Sequence, residues 1–167
     1  FWWAPGGDVT TRFEEEFARF QDARFGVTVT NGTAALEICL RALDIGLGDE
    51  VIVPPYTFVA TASAVLAVSA TPVFVDIEPD GYNIDPSLIE AAITPRTKAI
   101  LCVHQLGMPC DLHSIVEIGK RHSIPVIEDA ACATGSEILW EGRWEKIGKP
   151  HGDIACFSFH PRKVVTT

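Results

Sequence analysis

Residues 98–130, KAILCVHQLGMPCDLHSIVEIGKRHSIPVIEDA, decide the fold. At their ends stand two apolar runs, KAILCVH (98–104) and IPVIEDA (124–130), without the polar alternation of a half-exposed strand. Such runs read as strands covered on both faces. Between them, Asp111 to His122 reads as a helix, with Lys120-Arg121-His122 in its last turn, where cations complement the helix dipole. Two apolar strands joined by a helix form a β-α-β unit, which demands parallel strands.

The same rhythm continues outward. Toward the N-terminus, TPVFVDI (71–77) and Val51 to Val53, ended by Pro54-Pro55, read as strands. TFVATASAVLAVSA (57–70) reads as an apolar, buried helix. Asp85-Pro86 supplies an N-cap and a proline at the first helical position for a helix to about Ile93. A helix is expected from about Thr33 to Leu43, closed by Gly46 and Gly48, after a short strand from Gly26 to Thr30. Thr11-Arg12-Phe13-Glu14 fits a capping box, and Phe13, Phe17 and Phe20 then share one helical face. Toward the C-terminus, a polar insertion with Trp140, Gly142 and Trp144 reads as a surface hairpin before a final strand, DIACFSF (153–159). The expected fold class is α/β, a mostly parallel sheet flanked by helices, as one domain or part of one.

The 13 basic against 22 acidic residues leave a formal charge of −9, which argues against nucleic-acid partners because a phosphate-neutralising face needs clustered cations. No apolar run is long enough to span a membrane; the closest, Val59 to Ala70, is interrupted by Thr61, Ser63 and Ser69. FWWAPGGD, at the start, lacks the features of a signal peptide. Five scattered cysteines without ligand spacing point to reduced thiols in a cytoplasmic protein, not to a zinc site or a disulfide framework.

In open α/β sheets, ligands collect beyond the carboxyl ends of the strands. Three polar groups are expected at that edge. Asn31-Gly32-Thr33, opening a helix, is either a phosphate seat or an ordinary N-cap turn. Glu128-Asp129 closes an apolar strand, so its carboxylates need a cation or hydrogen-bond donors. Ser158 and Lys163 follow the last strand, where a lysine is either solvated or a Schiff-base former. No P-loop or dinucleotide fingerprint is present. Taken jointly, the three groups match the parts of a pyridoxal phosphate site: a helix N-terminus for phosphate, an Asp for the pyridinium nitrogen and a Lys for the aldehyde.

The chain resembles the DegT/DnrJ/EryC1/StrS family of pyridoxal phosphate-dependent sugar aminotransferases. The likeness lies in FEEEFARF (13–20), VTNGTAALEICLRALDIGLGDEVIVPPYTFVATASAVL (29–66), ATPVFVDIEPDGYNIDPSLIEAAITPRTKAI (70–100), PVIEDAACATGS (125–136) and GDIACFSFHPRK (152–163). The resemblance implies the fold-type I transferase large domain. It also implies site roles: Gly32, Thr33 and Ala34 at the cofactor phosphate with Ser158, Phe58 stacking on the pyridine ring, and Asp129 at its nitrogen. Lys163 would carry the internal aldimine and then shuttle the proton. Some relatives hold His at the lysine position and act as sugar dehydratases; Lys163 favours transamination. Where the family usually has Gln beside the ring, this chain has Cys132, a weak donor that cannot reproduce an amide contact. Its effect is either a tolerated substitution or an altered substrate or reaction. His104, His160 and Arg162 are expected to be structural.

The implied activity is transfer of an amino group from glutamate or glutamine to a nucleotide-linked keto-sugar by a homodimer. Dehydration or amination of a non-sugar ketone is the alternative. Family chains are about twice this length, so residues 1–167 are expected to form a truncated large domain without the small C-terminal one, catalytically incomplete alone.

Overall fold

The computed structural model describes residues 7–166. Five strands form one parallel sheet: β1 (Glu50–Val53), β2 (Thr71–Phe74), β3 (Thr97–Val103), β4 (Val126–Asp129) and β7 (Ile154–Cys156), in the order β2-β1-β3-β4-β7. The remaining two, β5 (Glu137–Trp140) and β6 (Arg143–Lys146), pair antiparallel as the expected hairpin.

Alternate residues of the central strands face opposite ways and build two cores. Val51, Val53, Ala99, Leu101, Val103 and Ile127 pack with Leu36 and Leu40 of α2 (Gly32–Ala42) and Ala64 and Val65 of α3 (Ala60–Ala67). On the other face, Ile52, Ile100, Cys102 and Val126 meet Ile89 of α4 (Pro86–Ala92) and Leu112, Ile115 and Val116 of α5 (Leu112–His122). Ile52, Ile100, Leu101 and Ile127 are fully buried, each contributing about 1.5–3 kcal/mol by leaving water. This double burial is why their strands read as continuous apolar runs.

Helix starts follow the chemistry of their caps. Asp85 Oδ1 accepts the Ser87 amide at 2.9 Å with Pro86 at the first position, and Asp111 Oδ1 accepts the Ser114 amide at 3.1 Å. Ser123 ends α5 in the left-handed region at φ 55°.

Four local expectations are corrected. The first helix, α1 (Asp8–Phe20), starts earlier than expected, with Gly7 as N-cap, so Thr11 lies inside it and forms no capping box. Glu14 instead turns toward the following loop, where Oε1 accepts the Thr28 amide and hydroxyl, both at 2.7 Å. That loop, Gly26 to Thr30, is not a strand: its residues join no sheet among the described residues. The apolar α3 is buried on one side only; Leu66 and Val59 beside it are exposed. Finally, β2 is an edge strand, with Thr71 and Phe74 exposed.

Candidate active site

Because the sheet is parallel, β1, β3, β4 and β7 all end on one edge. Asp129 ends β4 and is paired with Cys156, which ends β7. Two residues beyond β7 stands Ser158, which is buried and packs against the first turn of α2: a Cβ on Gly32 would lie 3.2 Å from Ser158 Cβ. Glycine therefore allows the helix N-terminus to approach the strand end closely. Asn31 caps that helix, its Oδ1 accepting the Ala34 amide at 2.9 Å. The amides of Gly32 and Thr33 have no partner among the described residues, so two donors at the positive end of α2 remain available.

Asp129 is held from two sides. Thr61 Oγ1 donates to Oδ2 at 2.9 Å, and the Ala131 amide donates to Oδ1 at 3.2 Å. Burial pushes its carboxyl above the usual carboxylate range, while these two donors and the Lys163 ammonium pull the other way. Thr61 is buried and in turn shares a 2.8 Å hydroxyl contact with Thr57. The pair ties the loop that carries Phe58 to the carboxylate. Phe58 itself is 71% exposed, so it does not serve core packing.

Lys163 follows a tight loop in which the Lys163 amide donates to His160 O at 2.8 Å and the Arg162 amide to His160 Nδ1 at 3.3 Å. His160 and Arg162 thus shape the loop, as expected. Its Nζ donates to Cys132 Sγ at 3.2 Å. The loop is buttressed by α1: Phe17 meets Phe157 and Phe159 edge-on at centroid distances of 5.0 and 5.2 Å, and Phe13 meets Phe159 at 5.2 Å. The aromatic face of α1 therefore packs directly on the segment that delivers Ser158 and Lys163.

His104 is fully buried, its Nδ1 accepting the Cys110 amide at 3.2 Å and its Nε2 lying 2.9 Å from Glu128 Oε2. Since Nδ1 keeps its lone pair for the amide, the ring proton sits on Nε2 and is donated to Glu128. Glu128 Oε1 also accepts the Gly152 amide at 3.4 Å, so both side chains are engaged within the fold. Trp140 packs against His151 and His113 at 4.1 and 5.1 Å, whereas Trp144 is exposed.

Sequence reasoning placed Gly32, Thr33, Asp129, Ser158 and Lys163 at this edge, and the structure brings them there. It missed Thr57 and Thr61. Their i, i+4 spacing entering an apolar helix was the available signal, because a hydroxyl on a buried helix face needs a polar partner.

The DegT/DnrJ/EryC1/StrS aminotransferase family matches residues 1–167. The chain belongs to this family. One curated relative, a UDP-N-acetyl-3-dehydro-alpha-D-glucosamine 3-aminotransferase of Acidithiobacillus ferrooxidans, is 50% identical over 157 residues, covering 94% of this chain and 41% of the relative. Another, the 3-amino-5-hydroxybenzoate synthase of Amycolatopsis mediterranei, is 41% identical over 165 residues, covering 99% of this chain and 41% of the relative. Among solved structures, S. venezuelae DesV in complex with a ketimine intermediate superposes with a TM-score of 0.89 at 44% identity, over 96% of this chain and 42% of that one. The PLP form of Spr1654 from Streptococcus pneumoniae, a putative sugar aminotransferase by its description, gives 0.90 at 34% identity, over 98% and 44%. The chain thus spans about two-fifths of the length of these relatives.

Among the described residues no helix is long and apolar enough to cross a membrane, and no cluster of three or more His, Cys, Asp or Glu could hold a metal ion.

Proposed function

We propose that this chain carries the cofactor-holding part of a pyridoxal 5′-phosphate-dependent aminotransferase. The reaction would move an amino group from an amino acid, glutamate or glutamine, to a nucleotide-linked keto-sugar. One observation carries the reading: a buried Asp129 carboxylate, a lysine amine and a helix N-terminus with two unpartnered amides converge on one sheet edge.

The residues present fit the cofactor. The Gly32 and Thr33 amides, with the Ser158 hydroxyl packed against the same turn, suit a phosphate group, and Ala34 lends its place in the positively polarised first turn. Asp129 is desolvated and makes no direct ion pair among the described residues, and a protonated ring nitrogen would supply one. Phe58, with its ring free at the rim, would cover one face of the cofactor. When bound, pyridoxal phosphate supplies an electrophilic aldehyde and a ring that accepts electrons.

Within this frame, Lys163 Nζ would be the amine that holds the cofactor through its aldehyde, and the same nitrogen would hold and move the proton of the amino transfer. Asp129 would keep a ring nitrogen protonated, with Thr61 and the Ala131 amide fixing the orientation of its carboxylate. Cys132 stands beside Lys163 and offers sulfur where an amide would bind more strongly. The whole enzyme would work as a homodimer.

A second reading, amination of a non-sugar cyclic ketone, is favoured by the likeness to 3-amino-5-hydroxybenzoate synthase. Titration of the purified chain with pyridoxal phosphate tests the cofactor reading. A visible absorbance band should appear, become fixed to the protein by borohydride, and be lost in Lys163→Ala; a band unchanged in that variant overturns it. Product analysis with nucleotide keto-sugars and with a cyclic keto-acid then separates the two substrate classes.

A further inference from the structure

Cys132 differs from the other four cysteines in its surroundings. Cys102, Cys110 and Cys156 are buried, and Cys39 lies with its sulfur 3.4 Å from that of Cys156. Cys132 alone is both partly exposed and faced by an amine, Lys163 Nζ at 3.2 Å. Its backbone cannot easily retreat. Gly107, at φ +84°, packs so closely that a Cβ there would lie 2.9 Å from Cys132 O, and Ser136 Oγ donates to Gly107 O at 2.7 Å. The Ala133 amide donates to Ala130 O at 2.9 Å, closing the turn around the cysteine. On the other side, the His160 loop and the Phe17–Phe157–Phe159 packing hold the start of the lysine stem. Sulfur and nitrogen are therefore in contact while only the flexible lysine stem needs to move to bring them closer.

We propose that Cys132 and Lys163 form a reversible modification site: a peroxide oxidises the cysteine sulfur, and the lysine amine then closes on it as a sulfur–nitrogen bond. Peroxide oxidation of a cysteine proceeds through its thiolate. The thiolate attacks one peroxide oxygen, the O–O bond breaks, and water leaves after protonation. Sulfur is oxidised by two electrons to the sulfenic acid and the peroxide is reduced. Unprotonated Lys163 Nζ then attacks the sulfur, the S–O bond breaks, and the departing hydroxide takes an N–H proton to leave as a second water. Reversal needs two equivalents of a low-molecular-weight thiol. The first breaks the S–N bond and returns the proton to Lys163; the second releases the Cys132 thiol and leaves as the disulfide.

The bond itself requires only the observed contact. Its consequence rests on the reading of Lys163 as the cofactor-accepting amine: closure removes that amine while it holds, and bound cofactor prevents closure. The site would thus exclude cofactor under peroxide and recover when thiol returns.

Peptide mapping tests this on the full chain carrying Cys39→Ser, which removes a competing Cys39–Cys156 disulfide. After treatment with hydrogen peroxide and proteolysis without reductant, a linked peptide containing both Cys132 and Lys163 should appear. It should be about 2 Da lighter than the sum of its parts and vanish on adding dithiothreitol. It should be absent from Cys132→Ser and from Lys163→Arg, each substitution lying on a partly exposed side chain. Cys132 oxidised only to sulfinic or sulfonic acid, captured by dimedone without lysine linkage, or left unoxidised overturns the proposal. Prior loading with pyridoxal phosphate separates the two readings. Protection from linkage supports both; linkage that ignores the cofactor leaves the closure standing and counts against Lys163 as its acceptor. A cofactor band without any peroxide linkage in the unloaded chain does the reverse.

Discussion

At the scale of single residues, Asp129 is the most consequential side chain. Burial raises its folded pKa above the unfolded value of about 3.9. A carboxyl shifted this way contributes stability below the unfolded pKa and loses it as pH rises through the folded one. The cofactor-free chain should therefore lose part of its stability as pH rises from about 4 through the folded pKa of Asp129, and Asp129→Asn should flatten that slope. Urea midpoints measured across this range, wild type against variant, check it; parallel slopes would place the titration elsewhere. Thr61→Val should cost about 1.5–3 kcal/mol, since it removes a donor to a buried carboxylate while keeping the side-chain shape. Denaturant titration near pH 7 reads that loss, and protonating Asp129 should shrink it.

At the scale of elements, the link between α1 and the lysine loop sets how firmly the site is built. Phe17 touches both Phe157 and Phe159, which bracket Ser158. Phe17→Ala should cost about 2–3 kcal/mol, below the usual cost for a fully buried Phe because this ring is only half-buried. It should also weaken binding of pyridoxal phosphate, measured by absorbance titration, more than Phe20→Ala does, since Phe20 meets Phe17 rather than this loop. The elements also show what the sequence made legible. The three central strands β1, β3 and β4 were readable because both faces of each are buried, and the α4 cap because Asp85-Pro86 acts within one turn. The α1 start and the Gly26–Thr30 strand were misread because Glu14 had two uses: a local cap, or a loop fourteen residues ahead. Local pattern cannot rank a contact that exists only after the chain folds back. The Thr57–Thr61–Asp129 chain was hidden for the same reason, because its members come from different elements.

At the scale of the whole molecule, the five-strand sheet presents its chemistry and several uncovered apolar side chains on overlapping ground. Tyr56 and Tyr82 stack at 5.5 Å while remaining about half exposed, and Asn83 Nδ2 reaches Met108 O beside the exposed Leu106. Clustered apolar groups of this kind mark surfaces that other protein covers. If two copies of this chain associate through them, sedimentation should show concentration-dependent self-association that Tyr82→Asp with Met108→Asp abolishes. A variant that associates as the wild type does would move the interface to another face. The charge of −9 should make any such association stronger as salt rises, because like charges on the two copies are then screened.

The two threonines behind Asp129 carry a directional signal. An ionised carboxylate can only accept, so Thr61 must point its proton at Asp129 and receive its other hydrogen bond from Thr57. A protonated carboxyl can donate instead, and then both hydroxyls can swing round. The polarity of this short hydroxyl wire thus reports the charge on Asp129 to the loop bearing Phe58, without any backbone movement.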